Sequence, residues 1–186
     1  MKHSLMAASL ATSLAAQDFA LKLDGVVVEF PDHVAMHLGQ SFTIEAWVLK
    51  DATELFEGTI ASRWQVPVGG NHRFQLTQWD GGDTTVQFFA SGNSFYSVSR
   101  LSTGPIALGW HHVAVSCSTT SCRVFFDGSP GASAALPAGA LQAWSGSWTF
   151  GANPEFQEAL RVPLDEVRIS NVARYPAAFT PARRFQ

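Results

Sequence analysis

The carboxylates of this chain are not spaced for the cleavage of a glycosidic bond. That reaction needs an acid and a nucleophile or base on either side of one bond, about 5–5.5 Å apart in a retaining enzyme. No Glu-x-Asp-x-Glu strand pattern occurs, and Glu155 and Glu158 lie in a predicted loop beside Pro154, where nothing holds them on one face. A Gly-x-Ser-x-Gly nucleophile elbow is also missing. These residues predict a protein that is not an enzyme.

A calcium ion is the metal that the acidic residues favour, because calcium takes loop carboxylates and backbone carbonyls. Asp165 begins a predicted strand and shares parity with Val167 and Ile169, so it is expected to point inward. A buried carboxylate needs a cation, a metal or backbone N–H donors. Asp24, in the Asp-Gly turn of the first predicted strand, is the candidate second ligand. The alternative is that Asp165 accepts hydrogen bonds from backbone N–H groups at a turn.

The adjacent residues His111 and His112 do not predict a zinc site. Neighbouring residues on a strand point to opposite faces, so the two rings cannot chelate one ion. We therefore expect both histidines to have structural roles.

Aromatic side chains next to amides and carboxylates predict sugar binding. An aromatic plane stacks on the C–H groups of a sugar while polar groups orient its hydroxyls. Glu45 and Trp47 share the strand face opposite Phe42 and Ile44, which predicts a groove on that second face. Burial beneath a loop is the alternative for any single tryptophan. The candidate ligand-binding residues are Glu45, Trp47, Trp64, Trp79, Asp80, Asn93, Tyr96 and Trp144.

Two cysteines close a predicted hairpin. Cys117 shares strand parity with Val115 and Val113, while Cys122 shares parity with Val124 and Phe126. A hairpin that turns at residues 118–121 places the two cysteines opposite each other. The same register puts the apolar residues of both strands on one face, so the disulfide and the apolar face agree on a single register. The sequence therefore predicts a disulfide between Cys117 and Cys122, which is typical of an oxidising compartment.

The composition and the N-terminus predict export. Residues 1–16 begin with Lys2 and His3 and continue as an apolar, small-residue stretch that is too short to span a membrane, as in a signal peptide. No later stretch is apolar enough for a membrane span. The net charge of −3 gives no basic field, so nucleic acid is not an expected partner.

Strands must position all these residues. Segments with alternating polarity recur with turn signals between them, and no long stretch has a helical period. About ten to twelve short strands predict an all-β fold, an antiparallel sandwich of two sheets. Residues 130–139, rich in Gly, Ala, Pro and Ser, are predicted to form a loop. Nothing divides residues 17–186, which are predicted to form one domain.

The ordered strand motifs resemble the laminin G-like (LamG-like) branch of the concanavalin A-like jelly-roll superfamily. The matching stretches include Phe42-Thr-Ile-Glu-Ala-Trp-Val48, Gly109-Trp-His-His-Val-Ala-Val115, Arg123-Val-Phe-Phe-Asp-Gly128 and Leu164-Asp-Glu-Val-Arg-Ile169. The resemblance implies a jelly roll of two curved sheets, often with a structural calcium ion. Cys117 and Cys122 depart from the pattern, because plain strand and turn residues are expected there.

The resemblance and the residues together lead to three functional hypotheses. The first is a secreted, lectin-like module that binds a glycan or a glycosylated surface. The second is an adhesion or structural module that binds an extracellular protein, and the third and most remote is a glycoside hydrolase. A fold shared with many binding modules does not by itself decide between them.

Overall fold

Within the residues that the structure describes, the chain forms eleven β-strands and one short 3-10 helix, Val34–Met36. The computed structural model describes residues 20–23, 26–39, 41–50, 57–65, 70–78, 84–91, 95–102, 106–136, 146–153 and 158–183. The strands are β1 Val28–Phe30, β2 Phe42–Lys50, β3 Glu57–Gln65, β4 Gly70–Gln78, β5 Thr84–Ser91, β6 Phe95–Ser102, β7 Gly109–Cys117, β8 Ser121–Phe126, β9 Ser129–Ala135, β10 Trp148–Phe150 and β11 Leu164–Ser170.

The strands form two antiparallel sheets. The six-stranded sheet has the order β1-β10-β3-β4-β5-β6, and the five-stranded sheet has the order β11-β2-β7-β8-β9. Their order is not sequential: β10 lies between β1 and β3, and β11 lies beside β2. This arrangement confirms the prediction of an all-β, two-sheet jelly-roll sandwich.

The core lies between the two sheets and follows the alternation of the sequence. On β2, Phe42, Ile44, Ala46 and Val48 are all buried and belong to one hydrophobic cluster. Side chains from the opposite sheet, such as Phe88, complete that cluster, and the rings of Phe42 and Phe88 are 5.5 Å apart. Burying a side chain of this size contributes about 1.5–3 kcal/mol to stability.

The predicted hairpin is confirmed in its register and in its disulfide. Strands β7 and β8 pair with Val113 opposite Phe126, Val115 opposite Val124 and Cys117 opposite Cys122. The two cysteines are bonded to each other, and both are fully buried at the rim of the core cluster. The bond joins the ends of two strands that already pair, so it stabilises the hairpin locally.

The predicted loop at residues 130–139 is wrong in its first half. Residues Ser129–Ala135 form β9, which pairs with β8 after the two-residue turn Asp127–Gly128. Both turn residues have positive φ, 47° and 73°, as the Asp-Gly pair of a type I′ turn requires. The turn leads into β9, which was not predicted because its small residues and proline are typical of a loop.

Strand β11 contains an irregularity that changes which residues face the core. Asp165 pairs with Trp47, whereas Arg168 pairs with Glu45, so the register shifts between the two pairs. Glu166, at φ 49°, provides the extra residue of this bulge. Leu164 and Ile169 therefore face the core while Asp165 pairs on the opposite face, and the prediction that Asp165 points inward is wrong.

We predict that removal of the disulfide lowers the free energy of unfolding by about 2 kcal/mol, because the bond closes only a short loop in the unfolded chain. The change is Cys117→Ala with Cys122→Ala, which avoids burying new hydroxyl groups. Chemical denaturation of the variant and of the oxidised protein measures the difference. Two free thiols in the mass spectrum of the unreduced protein would contradict the bond itself.

Candidate functional site

The outer face of the five-stranded sheet, opposite the core, is covered by residues 171–183 of the chain. This segment, called the C-terminal cover here, places the rings of Tyr175 and Phe179 in a parallel stack with centroids 3.6 Å apart. Both rings pack edge-on against Phe125 of β8, at 5.9 Å and 5.4 Å. A Cβ atom on Gly128 would lie 1.8 Å from the carbonyl oxygen of Phe179, so only glycine permits this approach.

Glu45 lies at the centre of the covered face and is completely buried. Its Oε1 atom accepts a hydrogen bond from Arg168 Nε at 2.8 Å, and its Oε2 atom accepts one from the Tyr175 hydroxyl at 2.6 Å. The Nε2 atom of His112 lies 3.1 Å from Oε2. The carboxylate therefore joins three elements, β11, the C-terminal cover and β7, through one side chain.

The surroundings of Glu45 keep it ionised. Burial alone would raise the pKa of the carboxyl, but hydrogen bonds from His112, Tyr175 and Arg168 outweigh it and lower the pKa below its usual value. Burial and the hydrogen bond to Glu45 raise the pKa of the Tyr175 hydroxyl to about 12. Tyr175 therefore stays a hydrogen-bond donor over the whole physiological range.

The predicted ligand-binding groove at Glu45 and Trp47 is wrong. The pair does share the face opposite the core, but both residues contact the C-terminal cover: the Trp47 indole donates to the carbonyl oxygen of Ala182 at 3.1 Å. Arg123, on the same face, donates to the carbonyl oxygen of Pro176 at 3.3 Å. Trp47 and Arg123, which sequence parity predicts to be exposed, therefore bind a segment that lies 135 and 53 residues away from them in the chain.

His111 and His112 point to opposite faces of β7, as predicted, and have separate partners. His111 Nδ1 lies 2.7 Å from Asp127 Oδ2, and its Nε2 lies 2.9 Å from the carbonyl oxygen of Ala107. Because both neighbours are acceptors, the protonated ring can donate to each of them. The hydrogen bond to Asp127 is the main cause of a raised pKa of His111, and burial opposes it only partly.

The carboxylate of Asp165 is paired with a backbone donor. Its Oδ1 atom accepts a hydrogen bond from the backbone N–H of Glu166 at 2.8 Å, which is the alternative role that the sequence allows. No group of three or more His, Cys, Asp or Glu side chains within the part of the chain that the structure describes is placed to hold a metal ion. Asp24 lies outside the described residues, so a calcium site involving it stays a prediction.

Besides Glu45 and Trp47 of β2, two predicted ligand-binding residues have register positions, both in the six-stranded sheet. Trp64 of β3 pairs with Asn71 of β4, and Tyr96 of β6 pairs with Ala90 of β5. The candidates that lie outside the described residues are Trp79, Asp80, Asn93 and Trp144.

The pairing of strands β3 to β6 aligns polar and aromatic residues across the six-stranded sheet. Val86 and Phe88 of β5 are buried in the core, so Gln87 between them belongs to the opposite, outer face. The positions in step with Gln87 form three rows across the sheet. The rows are Thr59–Gln75–Gln87–Ser99, Ser62–Arg73–Phe89–Ser97 and Trp64–Asn71–Ser91–Phe95. Thr59 and Ser62, at the β3 end of two rows, are fully buried and hydrogen-bonded to Glu158 and Thr149, so they are not open to a ligand. Sequence reasoning found Trp64 but missed these rows, because only the pairing of four strands aligns them.

The strand order of the two antiparallel sheets is that of a jelly-roll sandwich. Residues 24–178 match a laminin G family of the concanavalin A-like lectin/glucanases superfamily, and the chain belongs to that family. The family resemblance seen in the sequence is therefore confirmed. A comparison with curated protein sequences gave no match.

Solved structures of similar fold share little sequence with this chain. The native heptameric SAP-like pentraxin from Limulus polyphemus has a TM-score of 0.62 and 16% identity, over 85% of this chain and 72% of that chain. Domain 4 of the extracellular arabinanase AbnA from Geobacillus stearothermophilus, in complex with arabinotriose, has a TM-score of 0.58 and 20% identity, over 83% and 71%.

A third similar structure is the Ruminococcus gnavus sialidase module CBM40 bound to α2,3-sialyllactose. Its TM-score is 0.53 at 12% identity, over 79% of this chain and 90% of that chain. At such identities the likeness establishes the fold alone. Among the described residues, no helix is long and apolar enough to cross a membrane.

We predict that Glu45→Gln lowers the free energy of unfolding by about 3 kcal/mol, because it leaves the Arg168 guanidinium without its buried countercharge. The control is Tyr175→Phe, which removes one hydrogen bond to the same carboxylate and is expected to cost about 1 kcal/mol. Chemical denaturation at neutral pH compares the two variants. Equal losses would show that the charge of Glu45 is not what holds the cover.

The lowered pKa of Glu45 also predicts acid sensitivity. Its contribution to stability is complete above the unfolded-state pKa of about 4.3 and is lost as the pH falls through the lower folded-state pKa. The melting temperature should therefore fall more steeply in acid for the unmodified protein than for Glu45→Gln. Parallel acid profiles would contradict the role assigned to the carboxylate.

The raised pKa of His111 predicts the opposite dependence. Its contribution is complete below the unfolded-state pKa of about 6.5 and is lost as the pH rises through the higher folded-state pKa. Thermal melting from about pH 6 to pH 9 should show a decline that is absent in His111→Gln. Asp127→Asn should flatten the same decline, because it removes the acceptor that stabilises the imidazolium.

Proposed function

We propose that this chain is a secreted, non-catalytic module that binds a glycan on the outer face of its six-stranded sheet. The observation that carries the proposal is the register of β3–β6, which aligns amides, hydroxyls, an arginine and aromatic residues at alternate positions of one sheet. The corresponding face of the five-stranded sheet is not available, because the C-terminal cover occupies it.

The residue types of these rows suit a sugar. Glutamine and asparagine amides donate and accept hydrogen bonds, serine hydroxyls do both, and an aromatic ring supplies a surface for the C–H face of a pyranose. Gln87 is half-buried in the middle strand of the set, with Gln75 and Ser99 as its register neighbours. An open sheet face suits an extended oligosaccharide better than a deep pocket does.

The similar structures support a glycan ligand at the level of the fold. The arabinanase domain was solved with arabinotriose and the sialidase module with sialyllactose. The two structures are only 20% and 12% identical to this chain, so the identity of the sugar is not carried over. The presence of a bound sugar in two structures of this fold supports the proposal of a glycan ligand.

The non-catalytic part of the proposal rests on the carboxylates. The chain has no Glu-x-Asp-x-Glu strand, and the most buried carboxylate, Glu45, is committed to Arg168 and Tyr175. Secretion is supported by the Cys117–Cys122 disulfide, since such bonds persist in oxidising compartments. A structural calcium ion remains part of the proposal, with Asp24 and Asp165 as its predicted ligands.

We predict that the purified protein binds a defined subset of glycans on an array and releases them unchanged. Gln87→Ala, and Trp64→Ala as the aromatic counterpart, should each weaken binding roughly tenfold, because each removes a contact worth about 1.4 kcal/mol. Arg123→Ala is the matched control, since Arg123 lies on the opposite sheet against the cover.

The array is run with calcium and with a chelator in parallel. Loss of binding with the chelator would indicate that calcium contacts the glycan or orders the protein loops beside it. A blank array under both conditions, together with capture of extracellular proteins, would overturn the glycan proposal in favour of protein adhesion. New reducing ends in the bound glycan would overturn the non-catalytic part.

A further inference from the structure

Two cavities adjoin each other along β11, at the side of the sandwich where the two sheets open. The first has a volume of about 430 Å³ and lies between β1 of one sheet and β11 of the other. Its walls are mainly apolar, and three of the lining residues are strongly exposed: Leu21 at 51%, Phe30 at 46% and Val167 at 38%. Apolar side chains grouped at the mouth of a cavity mark a binding site more often than single exposed residues do.

The second cavity, of about 390 Å³, continues along β11 towards the C-terminal cover. Met36 and Ile169 line both cavities, so the two share a wall. The second cavity has cationic side chains in its lining, Arg168 and Arg174, and the imidazole of His37. None of its described lining residues is an aspartate or a glutamate, but Glu45 is ion-paired to Arg168 and Asp32 lies 2.8 Å from His37. The positive charge that this cavity offers to a ligand therefore comes mainly from Arg174.

The arginines differ in how far they are already engaged. Arg168 is ion-paired to the buried Glu45 at 2.7 Å and is 20% exposed. Arg174 is held through Nε, which donates to Ser170 Oγ at 2.7 Å, while Glu45 lies 3.9 Å away; its side chain is 37% exposed. Arg174 is therefore the residue whose terminal nitrogens are best placed to meet an incoming oxyanion.

The two cavities of the cleft differ in the charge of their lining. Asp165 and Glu166 are among the residues that line the apolar cavity, whereas Arg168 and Arg174 line only the second one. An anionic group is repelled in the first cavity and attracted in the second. A ligand with an apolar body and one terminal oxyanion would therefore enter in a single orientation.

We propose that this cleft binds a monomeric anionic amphiphile, a hydrocarbon chain that ends in a carboxylate or a sulfate. The chain occupies the apolar cavity beside Phe30 and Val167, and the oxyanion reaches Arg174 in the cationic cavity. The site is separate from the sheet face proposed for glycans and does not depend on it. Its specificity comes from the pairing of an apolar wall with positive charge at one end only.

The test is isothermal titration of the full chain with sodium octanoate, decanoate and dodecanoate, each below its micellar concentration. Affinity should rise about fourfold for each added methylene until the apolar cavity is filled. Decanol, which has no charge, should bind more weakly, and decyltrimethylammonium should not bind. The chain-length series needs no variant, so it tests the proposal even where a substitution affects folding.

Variants then separate the two halves of the cleft. Arg174→Gln should weaken decanoate binding roughly tenfold. The same variant should bind decanol as tightly as the unmodified protein does, because decanol carries no charge. Val167→Asp, which puts a charge into the apolar cavity, should weaken both ligands. Arg183→Gln and Leu108→Asp are the matched controls, because both residues are exposed and line neither cavity. Thermal melting of each variant confirms that it is folded.

Three results would overturn the proposal. The first is no decanoate binding, or binding that does not change with chain length. The second is equal binding of decanoate and decyltrimethylammonium, which would exclude the role of Arg174. The third is cosedimentation with phosphatidylglycerol vesicles without any binding of the monomer, which would assign the surface to a membrane instead.

Discussion

The ionised carboxylate of Glu45 is the constraint on which the outer half of this sandwich depends. A charge that no water reaches must be surrounded by donors, and here the donors come from three separate elements: Arg168 of β11, Tyr175 of the C-terminal cover and His112 of β7. Arg168 can reach the carboxylate because the bulge at Glu166 shifts the register of β11. The cover is thereby attached to the sheet at its centre, and the stack of Tyr175 on Phe179 closes over the rest.

The cover decides which surfaces are left for ligands. It occupies the polar and aromatic face of the five-stranded sheet, where Trp47 and Phe125 would otherwise contact water. The outer rows of the six-stranded sheet and the cleft beside β11 are then the surfaces with a ligand-like combination of groups. Arg168 links the cover to the cleft, because it is ion-paired to the buried Glu45 and also lines the cationic cavity.

Local patterns predicted the fold well. The alternation of apolar and polar residues predicted the core face of β2. The register of the hairpin followed from two conditions, that Cys117 and Cys122 pair and that one face is apolar. Both patterns are short-range properties of a pleated strand. The same reasoning failed for Asp165, since one bulged residue inverts parity downstream and no composition signal marks Glu166. It also failed for Glu45: its face was predicted correctly, but the segment that buries it lies 130 positions away at Tyr175, and no local pattern contains that contact.

Gly128 has both a local role in a turn and a long-range contact with the C-terminal cover. The Asp-Gly turn reads as a simple connection from β8 to β9, and its positive φ values alone would justify glycine. Yet the backbone N–H of Phe179 donates to the carbonyl oxygen of Gly128 at 3.1 Å, so the turn also receives the far end of the cover. Asp127 in the same turn accepts hydrogen bonds from His111 and from the backbone of His112, the residue whose ring contacts Glu45. The turn, the histidine pair and the buried carboxylate thus form one connected unit, and a change at any of them is expected to alter how firmly the cover is held.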